Sequence, residues 1–269
     1  TATLTLLAES DATPLSVTGG GGTYDGSLKL WWRADAGTSS GFGDRWEDQS
    51  GSGNHGWQTF SPATARIAPG EQNGLPVMRF DGSDEVRFTT RLTAIRTVFW
   101  VVKEDAAATA AYRPLLGDGN NQVWQGGSGA PGTIWREGTC CVASGVYNGQ
   151  TWLDGRPVDG RVEKRPRAMS VISLVTAGNV NADRFGSDGY GTWWGDLAEL
   201  IVYERVLTPE ERKAVEDYLI SKYRIEVVPG ELTPASTPVI TASGNLVGGG
   251  VFAGSTTVGI STTTLGAEV

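Results

Sequence analysis

The stretch WWGDLAELIVYERVLTPEERKAVEDYLISKY, residues 193–223, predicts one strand followed directly by one capped helix. Residues 196–204 are mostly apolar and fit the strand. Thr208 can act as the N-cap residue, Pro209 occupies the first helical position, and Glu211 stands three residues after the cap. This spacing is a capping box, which satisfies free backbone N–H groups at the start of a helix.

The predicted helix has one apolar face, because Val215, Tyr218 and Leu219 recur at helical spacing. Its charged side chains are predicted to face water, and they are Glu210, Arg212, Lys213, Glu216 and Asp217. We therefore expect this helix to have a structural role.

The rest of the chain predicts short strands separated by tight turns. The 269 residues include 38 Gly and 10 Trp, and turn-forming residues interrupt the apolar runs. Strands are predicted at 28–34, 75–80, 85–89, 95–103, 122–125, 133–136, 140–147, 150–153 and 169–176. Asp154-Gly155 in YNGQTWLDGRPVDG (147–160) predicts a hairpin turn. The expected fold class is all-β and antiparallel, with one short helix near the C-terminal end.

Composition divides the chain into three parts. Residues 1–26 combine a strand-like arm with a glycine-rich joint, and residues 27–228 carry the strand pattern. Residues 229–269 are rich in Gly, Thr, Ser and Val. This composition favours strands but offers too little apolar bulk for a core, so the segment is predicted to be a C-terminal arm or the start of a small β element. Because an unpaired β arm tends to aggregate, we expect both arms to pair with neighbouring subunits in a homo-oligomer or larger assembly.

Charge and hydropathy argue against two kinds of partner. The formal net charge is -8, whereas nucleic-acid binders usually present a basic patch. The one basic run, GRVEKRPRA (160–168), is predicted to be a solvated hairpin end. No segment approaches the ~18 apolar residues of a membrane span, and residues 1–22 do not have the pattern of a signal peptide. Neither nucleic acid nor a membrane is an expected partner.

The two cysteines, Cys140 and Cys141, are adjacent in the chain. Neighbours on a strand point to opposite faces, so we expect two reduced thiols, which fit a protein that matures in a reducing compartment. A zinc site is not expected, because a second cysteine pair and a nearby histidine are both missing.

Three segments together resemble the laminin G-like jelly rolls of the concanavalin A-like lectin and glucanase superfamily. LKLWWRADAG (28–37) with WEDQSGSGNHGWQ (46–58) is similar to the family's opening strand and its D-x-S-G-x-G-N-x-G loop. GLPVMRFDGSDEVRF (74–88) resembles its F-D-G turn, and residues 193–223 resemble its closing strand and helix. The resemblance covers roughly residues 27–223 and implies a two-sheet antiparallel jelly-roll sandwich. That superfamily contains hydrolases, lectins, adhesion modules and structural domains, so the fold does not select the function.

Catalytic residues of the family's glucanases are not reproduced in this sequence. The nearest match to their paired glutamates is Glu199 with Glu204, but Ile201 replaces the middle aspartate. A spacing of five sends the two glutamates to opposite faces of a regular strand, where both are predicted to face solvent. His55 is the only histidine and has no candidate partner for a catalytic triad. We expect no enzymatic activity, and a glucan hydrolase is the least favoured alternative.

Calcium is an alternative for the acidic turn residues, although no cofactor is required. Asp48, Asp81, Asp84 and Asp118 lie in turn-like sequences and could supply carboxylate oxygens to a cation. Turn chemistry explains the same aspartates, because Asp accepts hydrogen bonds from its own backbone. An EF-hand is excluded, since Thr59 stands where the twelfth position requires Glu.

Exposed tryptophan rings are the candidates for binding a carbohydrate or a protein partner. Trp46 and Trp57 flank the glycine-rich loop, and Trp193 and Trp194 are adjacent. In each adjacent pair, including Trp31-Trp32, one ring is expected in the core and the other outside it.

Two functions are expected from these patterns. The first is a non-enzymatic structural or interaction protein on a virion surface, such as a bacteriophage decoration or fibre-type protein assembled in the host cytoplasm. The β-prone arms and the missing catalytic patterns favour it. The alternative is a secreted, extracellular carbohydrate-binding or adhesion module of a bacterium.

Overall fold

The computed structural model describes residues 26–38, 45–58, 65–119, 124–138 and 140–227, and the backbone of four strands between residues 239 and 261. The chain divides into two compact units, the first ending at Glu226 and the second spanning Val227–Val269. The predicted N-terminal arm, except Gly26, and the first half of predicted strand 122–125 lie outside the described residues.

The first unit is built from antiparallel strands, with one long helix near its end. Its elements are β1 (Leu28–Arg33), β2 (Arg45–Trp46), β3 (Gly56–Gln58), β4 (Arg66–Gln72), β5 (Leu75–Asp81), β6 (Val86–Glu104), α1 (Ser144–Tyr147), β7 (Gln150–Leu153), β8 (Arg156–Val158), β9 (Ser170–Phe185), β10 (Trp194–Tyr203) and α2 (Pro209–Tyr223). The predicted all-β class and the predicted C-terminal helix are both confirmed.

The strands form one large hydrogen-bonded sheet in the order β4-β5-β10-β6-β9-β7-β8. β1 also pairs with β10, and β3 pairs with β2 and β6. The pairing of the long strands β6 and β9 shifts register between Arg87 and Thr97, where bulges let a sheet bend. The result is a sandwich-like β fold, and the short β8 is the strand at one end of this order, with β4 at the other end.

The central strands are buried on both faces, which explains their nearly continuous apolar sequence. In β6, Trp100 faces the larger core and Phe99 faces the smaller one. The larger core includes six tryptophans among the described residues, and they are Trp32, Trp46, Trp100, Trp124, Trp135 and Trp193. Helix α2 covers the smaller core with its apolar residues, including Val215 and Leu219.

Helix α2 begins as the sequence predicts. The Thr208 side chain accepts a hydrogen bond from the Glu211 backbone N–H, and the Glu211 carboxylate accepts one from the Thr208 N–H. The prediction for Glu216 is wrong, because Glu216 is buried and accepts hydrogen bonds from Ser173 of β9 and from Arg212. The helix lies flat on the sheet, so charged residues beside its apolar face are covered. The described helices include none long and apolar enough to cross a membrane.

The predicted strand at 140–147 is wrong, and so is the prediction of free thiols. Cys141 has a φ of 71°, which is left-handed, and residues 144–147 form the single turn of α1. Cys140 and Cys141 are joined by a disulfide. The argument that neighbours on a strand point apart does not apply to this turn, and the inference of a reducing compartment loses its basis.

The basic run at 160–168 is not simply a solvated hairpin end. Arg165 is fully buried, and its Nε donates to the Glu104 carboxylate at 2.9 Å. Its Nη1 also donates to the carbonyls of Gly127 and Thr133, at 2.8 and 2.9 Å. This arginine therefore holds the loops around residues 127 and 133 against strand β6.

The second unit contains two small sheets of its own. β11 (Val239–Ser243) pairs antiparallel with β14 (Thr257–Ser261), and β12 (Leu246–Val247) pairs antiparallel with β13 (Val251–Phe252). The predicted strand propensity of this segment is thus realised within the segment itself.

Candidate functional site

The loop at residues 46–58 is organised by Asp48. Its carboxylate accepts hydrogen bonds from the backbone N–H groups of Trp31 at 2.8 Å, Ser50 at 3.0 Å and Asn54 at 2.9 Å. The only histidine, His55, accepts through Nδ1 from the Asp48 N–H at 3.1 Å. Asp48 therefore has the role of a turn residue. The hydrogen bond between its backbone N–H and His55 Nδ1 holds the loop closed.

Two further calcium candidates, Asp81 and Asp84, lie together in the turn after β5. Burial raises the pKa of Asp84, whose side chain is only 4% exposed. Its Oδ2 accepts from the Asp81 N–H at 3.0 Å, whereas Oδ1 has no hydrogen-bond partner among the described residues. A hydrogen bond from the Ser83 hydroxyl lowers the pKa of Asp81. Among the described residues, no group of three or more His, Cys, Asp or Glu is placed to hold a metal ion. Asp118 is paired with Arg91 at 2.6 Å.

Two of the four candidate tryptophans are not accessible. Trp46 and Trp193 are 1% and 0% exposed, and both belong to the larger core. Trp46 stacks on Trp32 with 5.3 Å between the ring centroids. The expectation that one ring of Trp31-Trp32 faces outward is also wrong, because helix α2 covers the Trp31 side of the sheet.

The other two candidates keep part of their surface. Trp57 is 44% exposed, its Nε1 donates to Thr89 Oγ1 at 2.8 Å, and the Arg45 guanidinium lies 5.4 Å from its ring centroid. Trp194 is half-buried, with Arg113 5.6 Å from its ring centroid. These two rings lie in different surroundings and do not form one site with the buried pair.

Glu199 is not the solvent-facing residue that its strand position predicts. It is 1% exposed and lies beneath α2. Its Oε2 accepts from Lys222 Nζ at 2.8 Å and the Tyr223 hydroxyl at 2.9 Å, and its Oε1 accepts from Trp31 Nε1 at 2.5 Å. Glu204, in contrast, makes a partly exposed ion pair with Lys29 at 3.6 Å.

The structure brings together a different set of residues beside the sheet edge, in a groove of about 440 Å³. The groove is formed by α1, the β7–β8 hairpin and the turn that follows it. Its lining residues are Trp135, Tyr147, Gly149, Gln150, Thr151, Trp152, Pro157, Val158, Asp159, Gly160 and Arg161. We call this set the edge groove.

The inner side of the edge groove is held in place by core contacts. Trp135 Nε1 donates to Thr151 Oγ1 at 2.8 Å, and Thr151 pairs with Val158 across the hairpin. A Cβ at position 160 would stand 2.3 Å from Trp135 Cδ1, so only glycine lets the indole approach so closely. The Trp152 side chain is on the other face of β7 from that of Thr151. The Arg212 guanidinium lies 3.9 Å from the Trp152 ring centroid.

The rim of the edge groove is polar and has paired charges. Arg161 donates to Asp159 through Nε at 2.7 Å and through Nη2 at 2.8 Å. These hydrogen bonds lower the pKa of the Asp159 carboxyl. The Arg161 guanidinium also lies 5.1 Å from the Tyr147 ring centroid. The groove therefore combines an aromatic side, a neutralised charge pair and the exposed amide of Gln150.

Sequence reasoning missed the edge groove because it treated 140–147 as a strand. Tyr147 ends α1 instead, where Gly149 N–H donates to the Val146 carbonyl and closes the turn. The hairpin at Asp154-Gly155 was predicted, and Asp154 does adopt a positive φ of 51°. The available signal was the polar and aromatic content of YNGQTWLDGRPVDG around that turn.

The geometry defines an all-β antiparallel domain with a concave aromatic and polar groove at one sheet edge. No protein-family model matches this chain, and no protein of curated function matches it. A solved structure titled Trypanosoma rangeli sialidase in complex with sialic acid is similar, at 14% identity and a TM-score of 0.39. The similarity covers 73% of this chain and 33% of that chain, so this chain spans about a third of the sialidase. This similarity identifies neither a family nor an activity.

Proposed function

We propose that the first unit is a non-catalytic binding domain of the concanavalin A-like jelly-roll type, and that the edge groove takes a neutral saccharide. The single observation that carries this proposal is the groove itself, with Tyr147 beside a rim of Gln150, Asp159 and Arg161. A sugar ring has an apolar face and a polar edge, and protein sites that bind such ligands combine aromatic surface with a few placed polar groups.

The charge pairing of the rim favours a neutral ligand. Asp159 and Arg161 neutralise each other through two hydrogen bonds, so neither charge needs a counterion from the ligand. Both groups still have lone pairs or N–H groups to offer to hydroxyls. Gln150 adds one donor and one acceptor group at the same rim.

The surroundings of Glu199 support a domain without glycosidase activity. A retaining glycosidase needs two carboxyl groups about 5 to 5.5 Å apart on either side of a sugar. Glu199 is covered by α2 and engaged by Lys222 and Tyr223. A saccharide could not reach it without removing that helix.

Substitution of Tyr147 tests the groove. Tyr147→Ala is expected to weaken saccharide binding about tenfold, because the change removes aromatic contact area at the site. A glycan array of neutral oligosaccharides identifies the probe, and isothermal titration with the strongest hit measures the Kd of each variant.

The matched control is Tyr190→Ala, which removes an exposed tyrosine that does not line the groove. Its Kd should equal that of the unmodified chain. Because Tyr147 also packs against the larger core, the melting temperature of each variant is measured as well, and Kd values are compared at a temperature where both variants are folded. A silent array, or equal weakening by both substitutions, contradicts the proposal.

A second candidate function, a structural component on a virion surface, is favoured by the second unit. Its described strands form sheets of two strands each, and an isolated two-stranded sheet is marginally stable in water. Pairing with a neighbouring subunit in an assembly would complete such sheets. The oligomeric state of the full chain tests this candidate.

A further inference from the structure

A second concave site, of about 360 Å³, shares no lining residue with the edge groove. It is lined by Tyr112, Gly127, Ser128, Thr133, Arg136, Glu137 and Lys164. We call it the basic cleft, because it carries two cations and one acid on a chain whose net charge is -8.

Arg136 is held in a fixed position in the basic cleft. Its Nη1 donates to Gln125 Oε1 at 2.5 Å, and the buried Gln125 donates through Nε2 to the buried Asp188 at 3.3 Å. The guanidinium carbon lies 4.3 Å from the Tyr112 ring centroid. Nε and Nη2 of Arg136 donate no hydrogen bond within the described part of the chain, so they are available to a ligand.

The wall opposite is a tightly packed loop. The Gly127 N–H donates to the Thr133 carbonyl at 3.0 Å, and a Cβ on Gly127 would stand 2.0 Å from Thr133 Oγ1. The buried Arg165 binds the carbonyls of both residues. The loop is therefore organised before any ligand arrives, which lowers the entropic cost of binding.

Lys164 supplies the second positive charge. It is exposed, its backbone is bridged to Thr133, and it makes no ion pair with the described residues. Among the lining residues the only acid is Glu137, so the cleft has an uncompensated positive charge. An arginine fork beside a lysine is well suited to a carboxylate or sulfate group.

We propose that the basic cleft binds the oxyanion of an acidic sugar, such as a uronate. The carboxylate pairs with Arg136 and Lys164, and the ring lies against the exposed Ser128 at the same cleft. A sugar sulfate offers the same oxyanion chemistry. This site differs from the edge groove in charge and in position, so it stands even if the edge groove binds no saccharide.

Titrations of the full chain with small probes test the basic cleft. Methyl glucuronide, methyl glucose 6-sulfate, methyl glucoside and inorganic sulfate are added separately, and backbone amide shifts are followed by NMR. The glucuronide or the sugar sulfate should shift the amides of Gly127, Ser128 and Arg136, with a Kd at least about tenfold lower than that of methyl glucoside. The stronger of the two acidic sugars identifies the oxyanion.

Two substitutions separate binding from folding. Arg136→Gln and Lys164→Gln should each weaken binding of the acidic sugar about tenfold, and added salt should weaken it further. Lys164 makes no contact on which the fold depends, so its variant retains the melting temperature. Lys213→Gln is the matched control, because it removes one positive charge from the exposed face of α2 and should leave the Kd unchanged.

The proposal fails if neither acidic sugar shifts the cleft amides, or if Lys164→Gln binds them as the unmodified chain does. Inorganic sulfate that binds as tightly as both acidic sugars would also overturn it, because the sugar ring would then contribute nothing. Tyr147→Ala should leave binding at the basic cleft unchanged, so the outcomes at the two sites are distinguishable.

Discussion

At the scale of single residues, Asp84 and Asp81 respond to pH in opposite directions. Burial raises the pKa of Asp84, so the folded chain keeps its proton at pH values where the unfolded chain has lost it. The stability that this provides is complete below the ordinary Asp pKa of about 3.9 and is lost as the pH rises through the raised value. The pKa of Asp81 is lowered, so Asp81 stabilises the fold above that pH instead.

Asp84→Asn is therefore expected to increase the free energy of unfolding at pH 7 when a chelator is present. This increase should become smaller as the pH falls toward 4. An amide cannot ionise, and it can donate to the neighbouring Asp81 carboxylate. Asp81→Asn is the matched control and should lower stability at pH 7, because it removes an ionised group that accepts from Ser83. Urea unfolding at several pH values measures both effects.

The calcium hypothesis makes the reverse prediction for the same variant. If Asp84 Oδ1 were a cation ligand, Asp84→Asn would abolish any stabilisation by added calcium and leave the chain less stable than the parent in its presence. If calcium raises the melting temperature of the unmodified chain but not that of the variant, Asp84 is a cation ligand, and its account as a buried carboxyl with a raised pKa is overturned.

At the scale of elements, Glu199 joins strand β10 to helix α2. Lys222, at the end of α2, pairs with both Glu199 at 2.8 Å and Asp35 at 3.2 Å. Burial and the Glu199 charge raise the pKa of the Tyr223 hydroxyl, so this tyrosine stays protonated and donates. The sheet face and the helix thus share one buried polar network.

Glu199→Gln is expected to lower the free energy of unfolding by about 3 kcal/mol, because it leaves the Lys222 ammonium partly unpaired and turns an amide toward hydrogen-bond donors. Glu204→Gln is the control on the same strand. Its partner is a partly exposed Lys29, so the loss should stay under about 1 kcal/mol. Equal losses in the two variants, by urea unfolding, would show that Glu199 does not tie the helix to the sheet.

Local sequence signals predicted which elements form more accurately than they predicted how those elements pack. The capping box of α2 and the hairpin at Asp154-Gly155 depend on neighbouring residues, and both were predicted correctly. The burial of Glu199 and Glu216 depends on where α2 packs against the sheet. The spacing of apolar residues along a strand or a helix does not predict that position. One ring of Trp31-Trp32 was expected outside the core for the same reason, but the Trp31 face of the sheet lies under a helix.

At the scale of the whole molecule, the two candidate sites were hidden because their residues come together only in the fold. The edge groove joins Trp135 to residues 147–161, and the basic cleft joins Tyr112 to Lys164. The aspartates of the turns were visible in sequence because turn acids have local partners. Sequence reasoning therefore favoured turn acids and exposed tryptophans, whereas the concave surfaces also depend on tyrosines, an amide and basic side chains that are distant in sequence.

The second unit gives the prediction that concerns assembly. β11 and β14 pair only with each other among the described strands, and the sheet of β12 and β13 is equally narrow. The full chain is expected to form concentration-dependent oligomers through these strands, and a chain ending at Glu226 should sediment as a monomer. Thr241→Lys places a charge within β11 and should weaken the association, because lysine on a strand discourages edge pairing. Sedimentation velocity over a hundredfold range of concentration measures all three. If the full chain remains monomeric at every concentration and protease readily cleaves residues 227–269, the strands do not pair between subunits. That result would also contradict the virion candidate, which depends on this association.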